Sequence, residues 1–257
     1  MGRKITFELG PAAIGLIAVA AIVGYLLGST YPFANSRDPE SAALDDGPTA
    51  SAPPTVETAG YGPSDIKRWA TEIGLDSNQF DSCFDSQKYL EQIELEYAQG
   101  LDVQISATPS FLIGNHDSGF TIMTGAQTFE VFKSRIDSYL YGTAPPMQVE
   151  LTADPIGNST FIGNRDAEVM IIEFSDFQCP FCRAFYTNTF PQIEIEYLDT
   201  GKAVLVYKEF PLTSIHPGAV DYGMATKCAG EQGKWREMHD KIFDEQNKLG
   251  IATIPYA

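Results

Sequence analysis

The sequence has 257 residues, of which 44% are hydrophobic, and a formal net charge of −17 at pH 7. This length is enough for one large or two small globular domains. The negative charge argues against nucleic acid as a partner, because phosphate binding requires grouped basic residues, and only Arg3-Lys4 and Lys67-Arg68 lie together. The 4 cysteines are too few for a small disulfide-framework protein.

An uncharged, apolar run lies near the N-terminus. Residues 9–28 are almost wholly apolar or small and follow Arg3 and Lys4; a span of ~20 apolar residues is long enough to cross a bilayer. Basic residues before such a span place the N-terminus inside the cell. We therefore predict a cytoplasmic segment over 1–8 and a single-pass transmembrane signal anchor over 9–28, with a cleaved signal peptide as the alternative. Both place the rest of the chain outside the cytoplasm, in the periplasm or the extracellular space, where disulfides persist.

A linker and the first folded elements follow this run. Residues 29–63 are rich in Ser, Ala, Pro and Gly, a composition typical of a flexible linker. Folded structure is predicted from Ser64, as the N-cap of a helix that ends at Gly74. Apolar spacing then predicts a short helix around 80–84, a helix over 90–100, a hairpin of strands 110–113 and 120–123, and a helix over 129–140.

The second half of the chain begins after a connector over 142–155 that is rich in proline and glycine. The β-branched and apolar residues at 169–174 predict a buried strand, and a helix follows it. Pro191 is predicted to kink or restart that helix. A strand over 203–210 and helices over 219–229 and 234–246 complete the predicted elements.

Two cysteines, Cys179 and Cys182, lie where the strand gives way to the helix. A helix N-terminus favours a thiolate, because it carries partial positive charge and unpaired N–H groups. Pro180 suits the first helical turn. A zinc site requires four ligands, and the chain has no second Cys-x-x-Cys pair. A purely structural disulfide at this spacing is strained and reducible. The pattern therefore favours a redox-active dithiol, with no metal and no cofactor.

The residues around this dithiol resemble the active-site segment of the DsbA-like branch of the thioredoxin superfamily. The resemblance covers residues 173–182, 208–212, 215–217 and 228–235. The first half resembles later parts of the same family: residues 74–83 resemble its helical insert, and residues 106–114 resemble the segment that holds its cis-proline. The resemblance implies an α/β, thioredoxin-like fold of the DsbA type, with a helical insert, over about residues 64–250.

The order of these segments differs from that of the family. Residues 64–142 resemble the family's later half (insert helices, cis-proline hairpin and last helix), and residues 143–257 resemble its early half. Each segment occurs once, which favours a circularly permuted domain with new termini in the insert, or an equivalent exchange between two chains. The alternative is a truncated tandem repeat, in which neither half has a complete sheet.

The resemblance also implies a function. Together with the predicted anchor, it predicts a membrane-anchored, extracytoplasmic thiol–disulfide oxidoreductase that acts on cysteine-containing protein substrates and needs a redox partner to restore the site. Cys179 is the expected nucleophile and Cys182 the resolving cysteine. The expected substrate-binding residues are Thr108, Pro109, Pro180 and Phe181. The competing class is a non-catalytic thioredoxin-fold binding or chaperone module.

Five further polar or sulfur-containing residues have weaker signals. The resemblance implies a structural disulfide between Cys83 and Cys228, with two separate buried thiols as the alternative. Glu173 and Asp176 flank the dithiol, and proton relay to Cys182 and simple solvation are both compatible with them. His216 precedes Pro217 and is more typical of a loop-positioning residue than of a catalytic base.

Overall fold

The computed structural model describes residues 3–4 and 61–249. These residues form a seven-stranded sheet in the order β1-β4-β3-β2-β6-β7-β5. The strands are β1 (Arg3–Lys4), β2 (Ser110–Asn115), β3 (Gly119–Thr124), β4 (Val149–Glu150), β5 (Thr160–Gly163), β6 (Val169–Ser175) and β7 (Ala203–Glu209). The helices are α1 (Pro63–Glu72), α2 (Ser77–Asp85), α3 (Leu90–Asp102), α4 (Phe129–Leu140), α5 (Pro180–Asn188), α6 (Phe190–Ile193), α7 (Ala219–Gly230) and α8 (Trp235–Lys248). A π-helical turn, Glu194–Leu198, follows α6.

The centre of the sheet is the parallel pair β6 and β7. Every residue of both strands is buried, as expected for parallel strands that are covered on both faces. Strand β2 runs antiparallel to β6, with Ser110 opposite Phe174 and Gly114 opposite Met170. This pairing joins the first half of the chain to the second. It also places the start of β2 at the end of β6, so the segments that hold Pro109 and Cys179 lie at the same edge of the sheet.

An aromatic cluster in the core also draws on both halves. Phe111 of β2 lies 4.8 Å from Phe132 of α4 and 4.7 Å from Phe185 of α5, measured between ring centroids. Phe132 and Phe185 are 5.2 Å apart, and all three side chains are at most 1% exposed. Burial of aromatic side chains is a main source of stability. The two halves therefore share one hydrophobic core.

Most predicted elements are present, and the differences have local causes. Helix α4 has the predicted bounds, and Pro191 lies in the first turn of a new helix, α6, as expected. Helix α1 begins at Pro63 with Gly62 as its N-cap, so Ser64 is not the cap and the predicted linker is too long. Proline at the first helical position explains the earlier start.

Gly100 does not end its helix, contrary to the prediction, because α3 continues to Asp102. A Cβ atom at this position would lie 2.6 Å from Cε2 of Phe210. The glycine therefore allows a close approach between α3 and the residue after β7. The predicted connector also contains strand β4, and strand β5 was not predicted. Both are short, and β5 alternates half-buried and exposed residues, so neither gives a strong apolar signal.

The predicted membrane anchor over 9–28 and most of the predicted linker lie outside the described residues. Within 61–249, no helix combines the length and the apolar character that crossing a membrane requires.

Candidate active site

The dithiol lies at the N-terminus of α5. Cys179 is the N-cap, with φ −71° and ψ 122°, and Pro180 is the first helical residue. The Cys179 N–H donates to the Asp176 carbonyl at 3.0 Å. Both thiols are free; Cys179 is 4% exposed and Cys182 fully buried, whereas Phe181 between them is 46% exposed. The site therefore presents an apolar ring beside a nearly buried nucleophile.

Residues from the first half of the chain face Cys179. The Thr108–Pro109 peptide bond is cis, and the Cys179 thiol donates to the Thr108 carbonyl at 3.3 Å. Thr108 is itself buried. The structure thus brings together Thr108, Pro109, Cys179 and Cys182, although 71 residues separate Thr108 from Cys179.

The pKa values of the two thiols are shifted in opposite directions. A hydrogen bond from the Cys182 thiol lowers the pKa of Cys179 to about 6; the N–H groups of Cys182 and Phe181 act in the same direction, and burial opposes them. Burial raises the pKa of Cys182 well above its ordinary value. At neutral pH, Cys179 is therefore largely thiolate and Cys182 remains a thiol. This asymmetry suits Cys179 to nucleophilic attack.

Glu173 is a buried acid with the properties of a proton donor to Cys182. It lies on β6, is 4% exposed, and burial raises its pKa to about 8. Its charge also contributes to the raised pKa of Cys182. With Tyr207 and His239 it lines a small internal cavity. A carboxyl group that is protonated near neutral pH can deliver a proton to a leaving thiolate.

The Asp176 carboxylate connects the residues that precede α5 to the segment that follows β7. Its Oδ1 accepts from the Gln178 N–H at 2.8 Å, and its Oδ2 accepts from the Leu212 N–H at 2.8 Å. The same Oδ2 lies 2.8 Å from Nδ1 of His216. The hydrogen bond with Asp176 raises the pKa of His216. Sequence reasoning missed this pair, because 40 residues separate its members.

The other two cysteines are joined. Cys83 of α2 and Cys228 of α7 form a disulfide with an S–S length of 2.04 Å and a Cα–Cα distance of 5.8 Å. The bond spans 145 residues of sequence and links the two halves covalently.

A buried polar cluster also connects the halves, and no sequence pattern predicted it. Both carboxylate oxygens of Glu96 on α3 accept from Nζ of Lys227 on α7 at 2.9 Å. Glu96 also accepts from the Glu209 N–H at 3.0 Å and from the Ser159 hydroxyl at 2.8 Å. Its side chain is 3% exposed and that of Lys227 is 5% exposed. Because both side chains are buried, removal of either one would leave the charge of the other uncompensated in the interior.

Within 3–4 and 61–249, no group of three or more His, Cys, Asp or Glu side chains is arranged to hold a metal ion.

Two family models match complementary parts of the chain. The model described as a DSBA-like thioredoxin domain matches residues 58–137, and the model described as thioredoxin matches residues 156–254. The chain is thus similar to DsbA-like and thioredoxin domains over two separate segments. The two matched segments lie in the two halves that the sheet joins.

Several known proteins match parts of this chain. A protein-disulfide oxidoreductase of Rickettsia bellii is 27% identical over 96 residues, which are 37% of this chain and 36% of the relative. A Rickettsia typhi protein with the same type of name is 24% identical over 179 residues, 67% of this chain and 62% of the relative. The Na(+)/H(+) antiporter NhaA 1 of Mycolicibacterium vanbaalenii is 36% identical over 87 residues, 34% of this chain and 14% of the antiporter. The chain thus spans about a third or less of the first relatives that it matches.

Two solved structures are also similar in part. Alpha-DsbA1 of Wolbachia pipientis is 27% identical, with a TM-score of 0.33, over 36% of this chain and 45% of that protein. BdbD of Bacillus subtilis is 22% identical, with a TM-score of 0.28, over 40% of this chain and 54% of that protein.

Proposed function

We propose that this protein is a thiol–disulfide oxidoreductase that acts on cysteines of other proteins through the Cys179-Pro180-Phe181-Cys182 dithiol. The observation that carries the proposal is the geometry at Cys179. A thiol whose pKa is lowered to about 6 lies at a helix N-terminus, 3.3 Å from the carbonyl of a residue that precedes a cis-proline. Relatives named protein-disulfide oxidoreductases support the same activity.

The disulfide is transferred in two exchange steps. A substrate thiolate attacks Sγ of Cys179, the Cys179–Cys182 bond breaks, and Cys182 leaves as a thiolate that takes a proton from Glu173. A second substrate thiolate then attacks the substrate sulfur of the mixed disulfide and releases the Cys179 thiolate. The substrate loses two electrons and the dithiol gains them. A partner that carries a disulfide must then reoxidise the site.

The pKa of Cys179 favours this direction. A stabilised thiolate stabilises the reduced site, so the oxidised site is the stronger oxidant. We expect Pro180 and the exposed ring of Phe181 to contact an extended substrate, and the Thr108 carbonyl beside the cis-proline lies 3.3 Å from the Cys179 sulfur. The Thr108 side chain also acts on Cys179, because a hydrogen bond from it helps to lower the pKa of the thiol.

A redox titration tests the activity. Equilibration with glutathione should show one two-electron transition for Cys179 and Cys182, and Cys179→Ser should abolish both this transition and disulfide transfer to a reduced peptide. Cys182→Ser should instead accumulate the mixed disulfide at Cys179. A protein that does not exchange with glutathione while it remains folded would be the non-catalytic binding or chaperone module.

We also propose that the two halves complete one thioredoxin-like domain in circularly permuted order. The β2–β6 pairing, the shared aromatic core and the Cys83–Cys228 bond support this arrangement. Isotope-labelled and unlabelled chains can be mixed, unfolded under reducing conditions and refolded together. Mass spectrometry should then find Cys83–Cys228 peptides in which both partners carry the same label. Mixed-label peptides would show an exchange between two chains.

The proposed location is outside the cytoplasm, with residues 9–28 as the anchor. The charge pattern around that run supports the proposal. A spanning anchor would place Arg3 and Val149 on opposite sides of the membrane and is therefore incompatible with the pairing of β1 with β4 through these residues. A cysteine introduced near residue 3 can be labelled in intact and in permeabilised cells. Labelling only after permeabilisation would place residue 3 in the cytoplasm, as the spanning anchor requires, and labelling of intact cells would place it outside, as the β1–β4 pairing requires. Mass spectrometry of the mature N-terminus would detect cleavage of a signal peptide.

A further inference from the structure

The loop that follows β7 is fixed against the residues that lead into Cys179. The Leu212 N–H and the His216 ring both bond to Oδ2 of Asp176, at 2.8 Å each. The Gly218 N–H donates to Oε1 of Gln178 at 2.6 Å. Asp176 and Gln178 are respectively three residues and one residue before the nucleophile. The position of the His216 ring relative to the active site is therefore defined by contacts at both ends of the loop segment.

Asp176 presents an electrostatic difficulty for the thiolate. Its side chain is fully buried, and its backbone carbonyl accepts the N–H of Cys179. A buried carboxylate three residues before Cys179 disfavours a second negative charge on that thiol. The residues between the two cysteines, Pro180 and Phe181, carry no charge that would offset it.

His216 contacts this carboxylate. Its ring nitrogen Nδ1 lies against the carboxylate oxygen of Asp176, and its side chain is only 15% exposed. Asp176 and the Cys179 thiolate both raise the pKa of the His216 imidazole, and the hydrogen bond to Asp176 is the larger cause. Arg183 of α5 is a further cation that acts with Cys179, and its guanidinium also donates to the Gln246 carbonyl at 2.9 Å.

We propose that His216, as an imidazolium paired with Asp176, is a positioning residue that neutralises the buried carboxylate and thereby keeps the Cys179 thiolate stable. The proposal rests on the thiol–disulfide exchange function proposed above. In this proposal, the positive charge that the Pro180-Phe181 dipeptide lacks comes from a loop histidine in a distant part of the sequence. His216 does not react with the substrate; it acts through Asp176.

The pH dependence of Cys179 alkylation in the reduced protein tests this role. His216→Gln keeps a hydrogen-bond donor to Asp176 but removes the charge, so the acid dissociation constant of Cys179 should fall about three- to tenfold. The double variant Asp176→Asn/His216→Gln removes both charges and should restore that constant to within about twofold of the wild-type value. His116→Gln, at an exposed site in the β2–β3 turn, is the matched control and should leave it unchanged.

Two outcomes would overturn the proposal: a His216→Gln constant within about twofold of wild type, or a double variant that keeps the full His216→Gln effect. If His216→Gln does not fold, as judged by circular dichroism, Asp176→Asn alone provides the measurement. That variant should not lower the constant, and a decrease would refute the charge argument. The glutathione titration of the wild-type protein tests the exchange function separately, because alkylation of Cys179 requires no substrate, disulfide or redox partner.

Discussion

The low pKa of Cys179 predicts that the stability of the reduced protein depends on pH through this one thiol. Its pKa is lowered from 9.0 to about 6 on folding. A group with a lowered pKa stabilises the folded state above the pKa of the unfolded chain, and this stabilisation is lost as the pH falls through the folded value. At pH 7 the Cys179 thiolate should contribute about 1.4 kcal/mol to the free energy of unfolding, and at pH 5 about 0.1 kcal/mol.

A comparison with Cys179→Ser isolates this contribution. Denaturant unfolding of both proteins, in the same reducing buffer, gives the difference in unfolding free energy at each pH. Groups that do not interact with Cys179 are common to both proteins and cancel, so the difference reports Cys179 together with its coupling to Cys182 and His216. The stability of wild type relative to Cys179→Ser should rise by about 1.3 kcal/mol from pH 5 to pH 7, and should continue to rise towards pH 9. A difference that stays constant within about 0.3 kcal/mol over this range would show that Cys179 has an ordinary acidity in the folded protein.

Two further predictions concern the contacts between the halves. Glu96→Ala leaves Lys227 buried without its carboxylate and should lower the free energy of unfolding by about 3–5 kcal/mol; Glu94→Ala, at an exposed position of the same helix, should change it by less than about 0.5 kcal/mol, and equal effects would refute the role of the ion pair. Replacing Cys83 and Cys228 together by alanine should cost about 2–5 kcal/mol, because the lost bond closes a loop of 145 residues. The glutathione equilibrium of the active-site dithiol should be unchanged in that variant, and a large shift would show that the disulfide also sets the redox properties of the site.

Local signals in the sequence were sufficient for much of the fold. The apolar spacing that predicts α4 depends on residues within three turns of helix, and proline acts on its own backbone at Pro191. These elements lie at or near the predicted positions. Strands β4 and β5 failed to give such a signal, because a strand of two to four residues is defined by the neighbour that it pairs with.

Contacts between distant residues could not be predicted in the same way. Glu96 has the sequence context of an exposed helical residue, and its burial depends on Lys227, which is 131 residues away. A carboxylate becomes acceptable in the interior only when a partner from another element reaches it. The same holds for the His216–Asp176 pair.

The sequence by itself determined the chemistry of the site. Two thiols lie between a strand and the N-terminus of the next helix, and this position favours a thiolate because backbone N–H groups are close by in the chain. The tertiary structure decided how unequal the two thiols are. Burial is a property of the assembled fold, and it raises the pKa of Cys182 and of Glu173. The tertiary structure also decided which groups surround Cys179, since Thr108 comes from the other half of the chain and His216 from a separate loop.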